Sequence, residues 1–289
     1  MKRLLQCLLN AAGDPGPILS AEAVGGGSIG RSFRAVTGRR EYFIKYHEDL
    51  PETVFVREAE GLELLRQIRS LPVPEVYYCG GVPEHKGSAI VMEWIHGEPN
   101  AETAEQLGRG LARLHLAPAS QFGLSTDNYI GELPQPNGWY GRWPEFLRER
   151  RLAPMAQLAE RKGLLPESRR VRLARLLDSL DRWVPADSRP SLLHGDLWSG
   201  NWIVGRGGQP YLIDPAVFYG DREFDLAFTE LFGGFPARFY AAYRGLAPLS
   251  REYEDRRPIY QLYYLLVHLI LFGESYGPAI DRILRRYAG

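Results

Sequence analysis

Leu193-His194-Gly195-Asp196-Leu197-Trp198-Ser199-Gly200-Asn201, answered by Tyr211-Leu212-Ile213-Asp214, decides the reading of this chain. Leu192-Leu193, Trp202-Ile203-Val204 and Tyr211-Leu212-Ile213 predict short apolar strands, with Gly205-Arg206-Gly207-Gly208 as the turn between the last two. Such a hairpin holds Asn201 near Asp214. Phosphoryl transfer needs an aligned hydroxyl, a base near its proton and a divalent cation to neutralise charge on the moving group. Asp196 is the candidate base, and Asn201 and Asp214 are the candidate magnesium ligands. Four fixed positions in His-Gly-Asp-x-x-x-x-Asn coincide by chance about 0.002 times per chain of this length. A turn aspartate beside a capping asparagine is therefore the weaker explanation. His194, just upstream, reads as an orienting, hydrogen-bonded residue rather than a proton carrier.

Composition narrows the setting. The 289 residues are 45% hydrophobic, enough for a large core and for two subdomains packed around a cleft. Thirty-five basic residues balance 35 acidic ones, which removes any global attraction to nucleic acid or a membrane surface and points to a small ligand. Cys7 and Cys79 are far apart, so neither a zinc site nor a disulfide framework is indicated, and a reducing cytoplasm is the natural setting. The apolar run in residues 1–10 is short and interrupted by Gln6, which reads as an amphipathic helix rather than a signal peptide. Even residues 263–272 are too short, and carry His268, to be a membrane span of roughly 18 apolar residues.

Working outward from the motif, the first hundred residues alternate glycine turns with apolar runs. Strands are expected at 31–36, 41–46, 75–79 and 88–95, with one helix at 55–65. His96-Gly97-Glu98-Pro99 breaks that pattern. Beyond it, helical spacing predicts helices at 101–116, 143–159, 168–183, 223–232, 253–272 and 278–287, with a Gly/Pro/Asn-rich stretch at 122–139. The expectation is an α+β fold with a β-rich N-terminal lobe at 1–96, a mainly helical lobe at 97–289, and a nucleotide between them.

Several residues outside the motif fit that chemistry. Gly25, Gly26, Gly27 and Ser28 lie in a glycine-rich turn whose backbone can approach phosphates closely, although the absence of a Gly-Lys-Ser/Thr ending argues against a P-loop NTPase. Lys45 sits in an otherwise apolar strand, where an ammonium needs a partner, and Glu58 on the next helix can supply it. Glu60 and Glu63 read as solvated. The backbones of Glu93 and Ile95, at the strand end before the lobe junction, are candidates for reading an adenine edge. His115 reads as a buried structural residue.

Together these features resemble the protein-kinase-like small-molecule phosphotransferases, and among them the fructosamine (ketosamine) 3-kinase family. The discriminating blocks are Leu193–Asn201, Asp214-Pro215-Ala216, Tyr219-Gly220-Asp221-Arg222-Glu223-Phe224-Asp225, Asp127-Asn128-Tyr129-Ile130-Gly131 and Pro134-Gln135-Pro136-Asn137. The resemblance implies ATP- and magnesium-dependent phosphorylation of the 3-hydroxyl of a ketosamine, free or on a glycated protein, and hence a part in deglycation. It implies Asp196 as base, Asn201 and Asp214 as magnesium ligands, Lys45 as phosphate contact with Glu58 as its partner, and Trp198 as an aromatic wall for the acceptor. Asp225 braces the catalytic loop in this reading. Asp221 and Glu223 are either substrate-facing carboxylates for a cationic amine or partners of Arg222. The rivals are a kinase of another amino sugar or amino alcohol, and a nucleotide-binding pseudokinase, against which the retained Lys45, Glu58, Asp196, Asn201 and Asp214 speak. Asp214 is followed by Pro-Ala, not Phe-Gly, and no Ala-Pro-Glu segment follows, so a peptide-docking groove is not expected.

Overall fold

The computed structural model describes residues 1–25 and 30–289. Helix α1 (Lys2–Ala11) buries Leu4, Leu5, Leu8 and Leu9, one stripe of a 3.6-residue repeat. That stripe lies on an antiparallel sheet of β1 (Ser20–Val24), β2 (Arg31–Val36), β3 (Glu41–His47) and, after α2 (Thr53–Ile68), β4 (Val76–Gly81) and β5 (Ser88–Glu93). The strand order is β1-β2-β3-β5-β4. Side chains alternate across a strand. Tyr42, Ile44 and Tyr46 of β3 pack with the α1 leucines, Phe33 and Val91. Phe43 and Lys45 must then face the other side, where α2 contributes Phe55, Leu62 and Leu65 to the main core. Strand alternation thus delivers Lys45 to Glu58.

After residue 97 the elements are α3 (Thr103–His115), four three-residue strands β6 (Phe122–Leu124), β7 (Asn128–Ile130), β8 (Leu133–Gln135) and β9 (Gly138–Tyr140), and α4 (Trp143–Phe146). A π-helical turn, Leu147–Leu152, leads into α5 (Ala153–Arg161) and α6 (Glu167–Asp178). Then come β10 (Pro190–Leu193), β11 (Trp202–Val204), β12 (Pro210–Leu212), β13 (Phe218–Asp221), α7 (Arg222–Thr229), α8 (Ala237–Leu246), α9 (Tyr253–Phe272) and α10 (Gly277–Ala288). A second sheet runs β10-β13-β6-β9, and β7–β8 and β11–β12 are hairpins. The chain is thus α+β, with a β-rich N-terminal region and a mainly helical C-terminal part.

The structure departs from the expected elements in instructive places. The loop-like stretch 122–139 contains β6 to β9, and the helix expected at 143–159 is interrupted by the π turn. α8 was not expected; it crosses α3 so closely that a Cβ on Gly108 would lie 2.3 Å from the Phe239 carbonyl oxygen. Among the described residues no helix is long and apolar enough to cross a membrane.

Candidate active site

The catalytic loop leaves β10 through Gly195, whose φ of 80° is open to glycine and strained for other residues. A Cβ there would also lie 2.1 Å from the Ala216 carbonyl oxygen. The loop is held from behind. Asp225, wholly buried on α7, accepts hydrogen bonds from the amides of His194 at 2.7 Å and Gly195 at 2.9 Å. Its Oδ2 also lies 3.2 Å from His115 Nε2, and His115 Nδ1 lies 2.8 Å from the Tyr243 hydroxyl. The Asp196 amide donates to His194 Nδ1 at 3.2 Å, which leaves His194 Nε2 as the donor to the Ile213 carbonyl at 2.9 Å. Burial pushes the His194 pKa down, so the ring is neutral and ties the loop to the β11–β12 hairpin.

Hairpin pairing of Trp202 with Leu212 brings Asn201 and Asp214 together. Asn201 Nδ2 donates to Asp196 Oδ2 at 2.9 Å and to the Asp196 carbonyl at 2.8 Å. With its nitrogen so engaged, the Asn201 Oδ1 points elsewhere and has no hydrogen-bond partner among the described residues. Asp214 adopts a left-handed backbone, φ 54°, which aspartate tolerates better than most residues. Its Oδ1 takes Lys45 Nζ at 2.6 Å, and the same ammonium donates to Glu58 Oε1 at 2.8 Å. Burial works against the lysine charge, but Asp214 and then Glu58 outweigh it and hold the group above its usual range. Burial, followed by the charge of Asp214, pushes the Asp196 carboxyl well above the ordinary aspartate range. Asn201 Oδ1 and the second Asp214 oxygen form a hard, oxygen-only pair, the kind that holds magnesium when phosphate oxygens and water complete the shell.

These groups open onto one cleft of about 620 Å³, lined among others by Lys45, Glu58, Asp196, Asn201 and Asp214. Aromatic side chains also line it. Trp198, 39% exposed, stands at the rim. Phe232, Phe272 and Tyr276 surround His268, with ring centroids 4.7, 5.5 and 5.1 Å from it. His268 Nδ1 bonds the Tyr264 carbonyl at 2.8 Å, which leaves Nε2 as an acceptor. Sequence reasoning missed this wall; the available signal was a histidine set inside an apolar helix, with aromatic residues four and eight positions on. Gly61 was missed too. Its Cβ position lies 3.3 Å from Pro215 and Val217 side chains, so the glycine lets α2 sit directly against the segment after Asp214.

One expectation needs correction. Asp221 and Glu223 do not line the cleft. Asp221 caps α7 by accepting from the Glu223 amide at 2.9 Å and also accepts from the Tyr260 hydroxyl at 2.8 Å. Glu223 accepts from the Ser250 amide at 2.8 Å and lies 3.4 Å from Arg256 Nε. Nor is Arg222 their partner, since its guanidinium donates to the Ala247 and Pro248 carbonyls. The helix start claims one carboxylate and the buried Arg256 the other. Glu93 ends β5 and its amide donates to the Glu75 carbonyl at 2.8 Å within the sheet, while Ile95 lies just beyond the end of the strand. Gly25 follows β1, and Gly26, Gly27 and Ser28 lie outside the described residues.

A probable ketoamine kinase of Lactiplantibacillus plantarum is 41% identical over 271 residues, covering 93% of this chain and 95% of the relative. Among solved structures, one from Thermobifida fusca, provisionally assigned as a fructosamine-3-kinase, is 33% identical with a TM-score of 0.86 and covers 99% of both chains. Another from Haemophilus somnus, with the same provisional assignment, is 28% identical with a TM-score of 0.88, covering 98% of this chain and 96% of the other. The aminoglycoside phosphotransferase APH(4)-Ia shares the fold, at 18% identity, a TM-score of 0.64 and full coverage of both chains. The sequence profile of the fructosamine kinase family matches residues 1–288, and this chain belongs to that family.

Proposed function

We propose that this chain transfers the γ-phosphoryl group of ATP to the 3-hydroxyl of a ketosamine, with the nucleotide seated between the regions 1–96 and 97–289. The observation that carries the reading is the convergence of Asp196, Asn201, Asp214 and Lys45 on one cleft that aromatic side chains also line. Asp196 takes the proton of the attacking hydroxyl; a carboxyl raised above its usual range is a stronger base than an ordinary aspartate. Asn201 Oδ1 and Asp214 would hold magnesium, which supplies charge neutralisation to the phosphoryl oxygens. Lys45, fixed between Glu58 and Asp214, is aimed at the nucleotide phosphates. The carbonyl of Glu93 and the amide of Ile95 remain for the adenine, and the turn holding Gly25, Gly26, Gly27 and Ser28 for the phosphates.

An acceptor amine is cationic near neutral pH, and the aromatic faces of Trp198, Phe232 and Phe272 suit a cation bearing a sugar. That wall takes the place of the acidic acceptor site expected of Asp221 and Glu223. The likeness to ketoamine kinases supports a ketosamine over an aminoglycoside or choline acceptor. Phosphorus NMR with ATP, magnesium and a panel of ribulosamine, fructosamine, aminoglycoside and choline tests the proposal. A ketosamine 3-phosphate is the expected product, and transfer only to another acceptor would replace the substrate class.

A further inference from the structure

Arg151 lies in the π-helical turn Leu147–Leu152 and is wholly buried, yet among the described residues no carboxylate lies within 4 Å of it. Its guanidinium packs 3.9 Å from the Phe218 ring centroid and 4.5 Å from that of Phe146. It donates to the Pro136 carbonyl at 2.7 Å, the Arg150 carbonyl at 2.8 Å and Asn137 Oδ1 at 2.8 Å, while Nε has no partner. A buried cation without a counter-ion carries a desolvation cost that hydrogen bonds to neutral acceptors only partly offset. Burial already drags this guanidinium down to about 10. The arrangement calls for an explanation.

That explanation begins at Asn137. An amide can face either way, and the guanidinium fixes this one by claiming its oxygen. Asn137 Nδ2 must then point to Asn128 Oδ1, 2.9 Å away. Asn128 Oδ1 also accepts from Gln135 Nε2 at 2.8 Å, so the Asn128 nitrogen is left to donate to the Val217 carbonyl at 2.8 Å. Gln135 Nε2 reaches the Ala216 carbonyl at 3.1 Å, and its oxygen is claimed by the Tyr263 hydroxyl at 2.7 Å. All three amides are buried, and each nitrogen also faces a backbone carbonyl, Thr126 at 2.9 Å in the case of Asn137, so the charged end and those carbonyls set the three orientations together. The relay ends as donors on two successive carbonyls just past Asp214-Pro215. The Ala216 amide in turn donates to the His194 carbonyl at 2.9 Å. The peptide following Asp214 is gripped on both sides.

We infer that Arg151 is a positioning residue, acting through Asn137, Asn128 and Gln135 to set the Asp214-Pro215-Ala216 segment and the Asn128–Gly131 wall of the cleft. The two otherwise unexplained family blocks, Asp127–Gly131 and Pro134–Asn137, are the body of this relay. The inference rests on the phosphotransfer reading above. Reversal of the amides would turn oxygens toward the Ala216 and Val217 carbonyls and release the segment that carries Asp214.

The test is Arg151→Met, with Arg151→Lys and Gln135→Met alongside, in the full chain. Arg151→Met leaves the Pro136 and Arg150 carbonyls and Asn137 Oδ1 without that donor, so the melting temperature should fall, while kcat of the protein that remains folded falls about 10–100-fold, the scale of a 1 Å misplacement remote from the chemistry. Amide hydrogen exchange of the nucleotide-free protein should quicken at Asn137 and Ala216. Arg151→Lys, which keeps a charged donor for Asn137, should recover most of kcat. Arg151→Met combined with Gln135→Met should lose little more kcat than the worse single variant. A merely structural arginine predicts instead a lower melting temperature with kcat of the folded protein unchanged, and that result overturns the positioning role. Wild-type protein that transfers phosphate to no acceptor overturns the reading beneath it.

Discussion

Asp225→Asn removes one charge and almost no volume, which makes it a sharp probe of how the catalytic loop is held. The native carboxylate receives three donors: the His194 amide at 2.7 Å, the Gly195 amide at 2.9 Å and His115 Nε2 at 3.2 Å. An asparagine offers one acceptor oxygen, so its NH₂ group must face a backbone N–H across a distance near 2.9 Å. A hydrogen bond to a charged group contributes about 1.5–3 kcal/mol, and an unsatisfied buried donor costs about 1–3 kcal/mol. The sum is a loss of about 2.5–6 kcal/mol, or a melting temperature lower by roughly 4–10 °C in a chain of this length. Because both displaced amides belong to the loop carrying Asp196, kcat should fall more steeply than stability. Differential scanning calorimetry and steady-state turnover of a ketosamine, measured on the same preparation, report the two effects. A variant that melts within about 2 °C of wild type and keeps its kcat would refute the bracing role of Asp225.

Other perturbations probe separate parts of the argument. Asp196→Asn should lower kcat by about 10²–10⁴-fold while the protein still binds nucleotide, measured by a fluorescent analogue; undiminished turnover would remove Asp196 from the role of base. Gly108→Ala should destabilise the fold, even though alanine is the better helix former by about 1 kcal/mol, because its Cβ would meet the Phe239 carbonyl oxygen at 2.3 Å. Urea unfolding that shows a more stable variant would contradict the backbone contact between α3 and α8. Burial, then the charge of Glu223, raises the Asp221 carboxyl to about 6. The folded state therefore prefers it protonated. Its contribution is greatest below the unfolded value near 4, fades as pH rises to 6 and is flat beyond, an effect of about 3 kcal/mol. Asp221→Asn should flatten the stability profile across that window, and a wild-type-minus-variant difference that does not change between pH 4 and 7 would count against it.

What the sequence made legible is chemistry written in adjacent residues. The His-Gly-Asp-x-x-x-x-Asn spacing, the turn glycines of the hairpin and the alternation that turns Lys45 away from Ile44 are all local, and each constrains a backbone or a face. The residues that misled depend on partners far along the chain. Asp221 is claimed by Tyr260, and Glu223 by Ser250 and Arg256, none of which a reading of residues 219–227 can see. Length explains other failures. Strands of three residues, as in β6 to β9, are too short to leave an alternating signature, and the π turn at Leu147–Leu152 preserves the general look of a helix. His268 escaped because Phe232, far along the chain, packs against it in the same wall of the cleft, a tertiary fact.

The position of Gly61 shows how the local and the distant parts become one device. Glu58 and Gly61 are three residues apart, neighbours on one face of α2. Glu58 grips Lys45 from β3, and Gly61 lets the same face lie 3.3 Å, at its absent Cβ, from Pro215 and Val217. Lys45 completes the circuit by binding Asp214, the residue before Pro215. Sheet, helix and hairpin are thus joined at two points one helical turn apart, one ionic and one steric. The ionic joint alone could be satisfied by several placements of a flexible lysine. The steric joint fixes the approach of α2 and selects among those placements, so the charge constellation of the cleft depends on a residue that carries no charge and has no side chain.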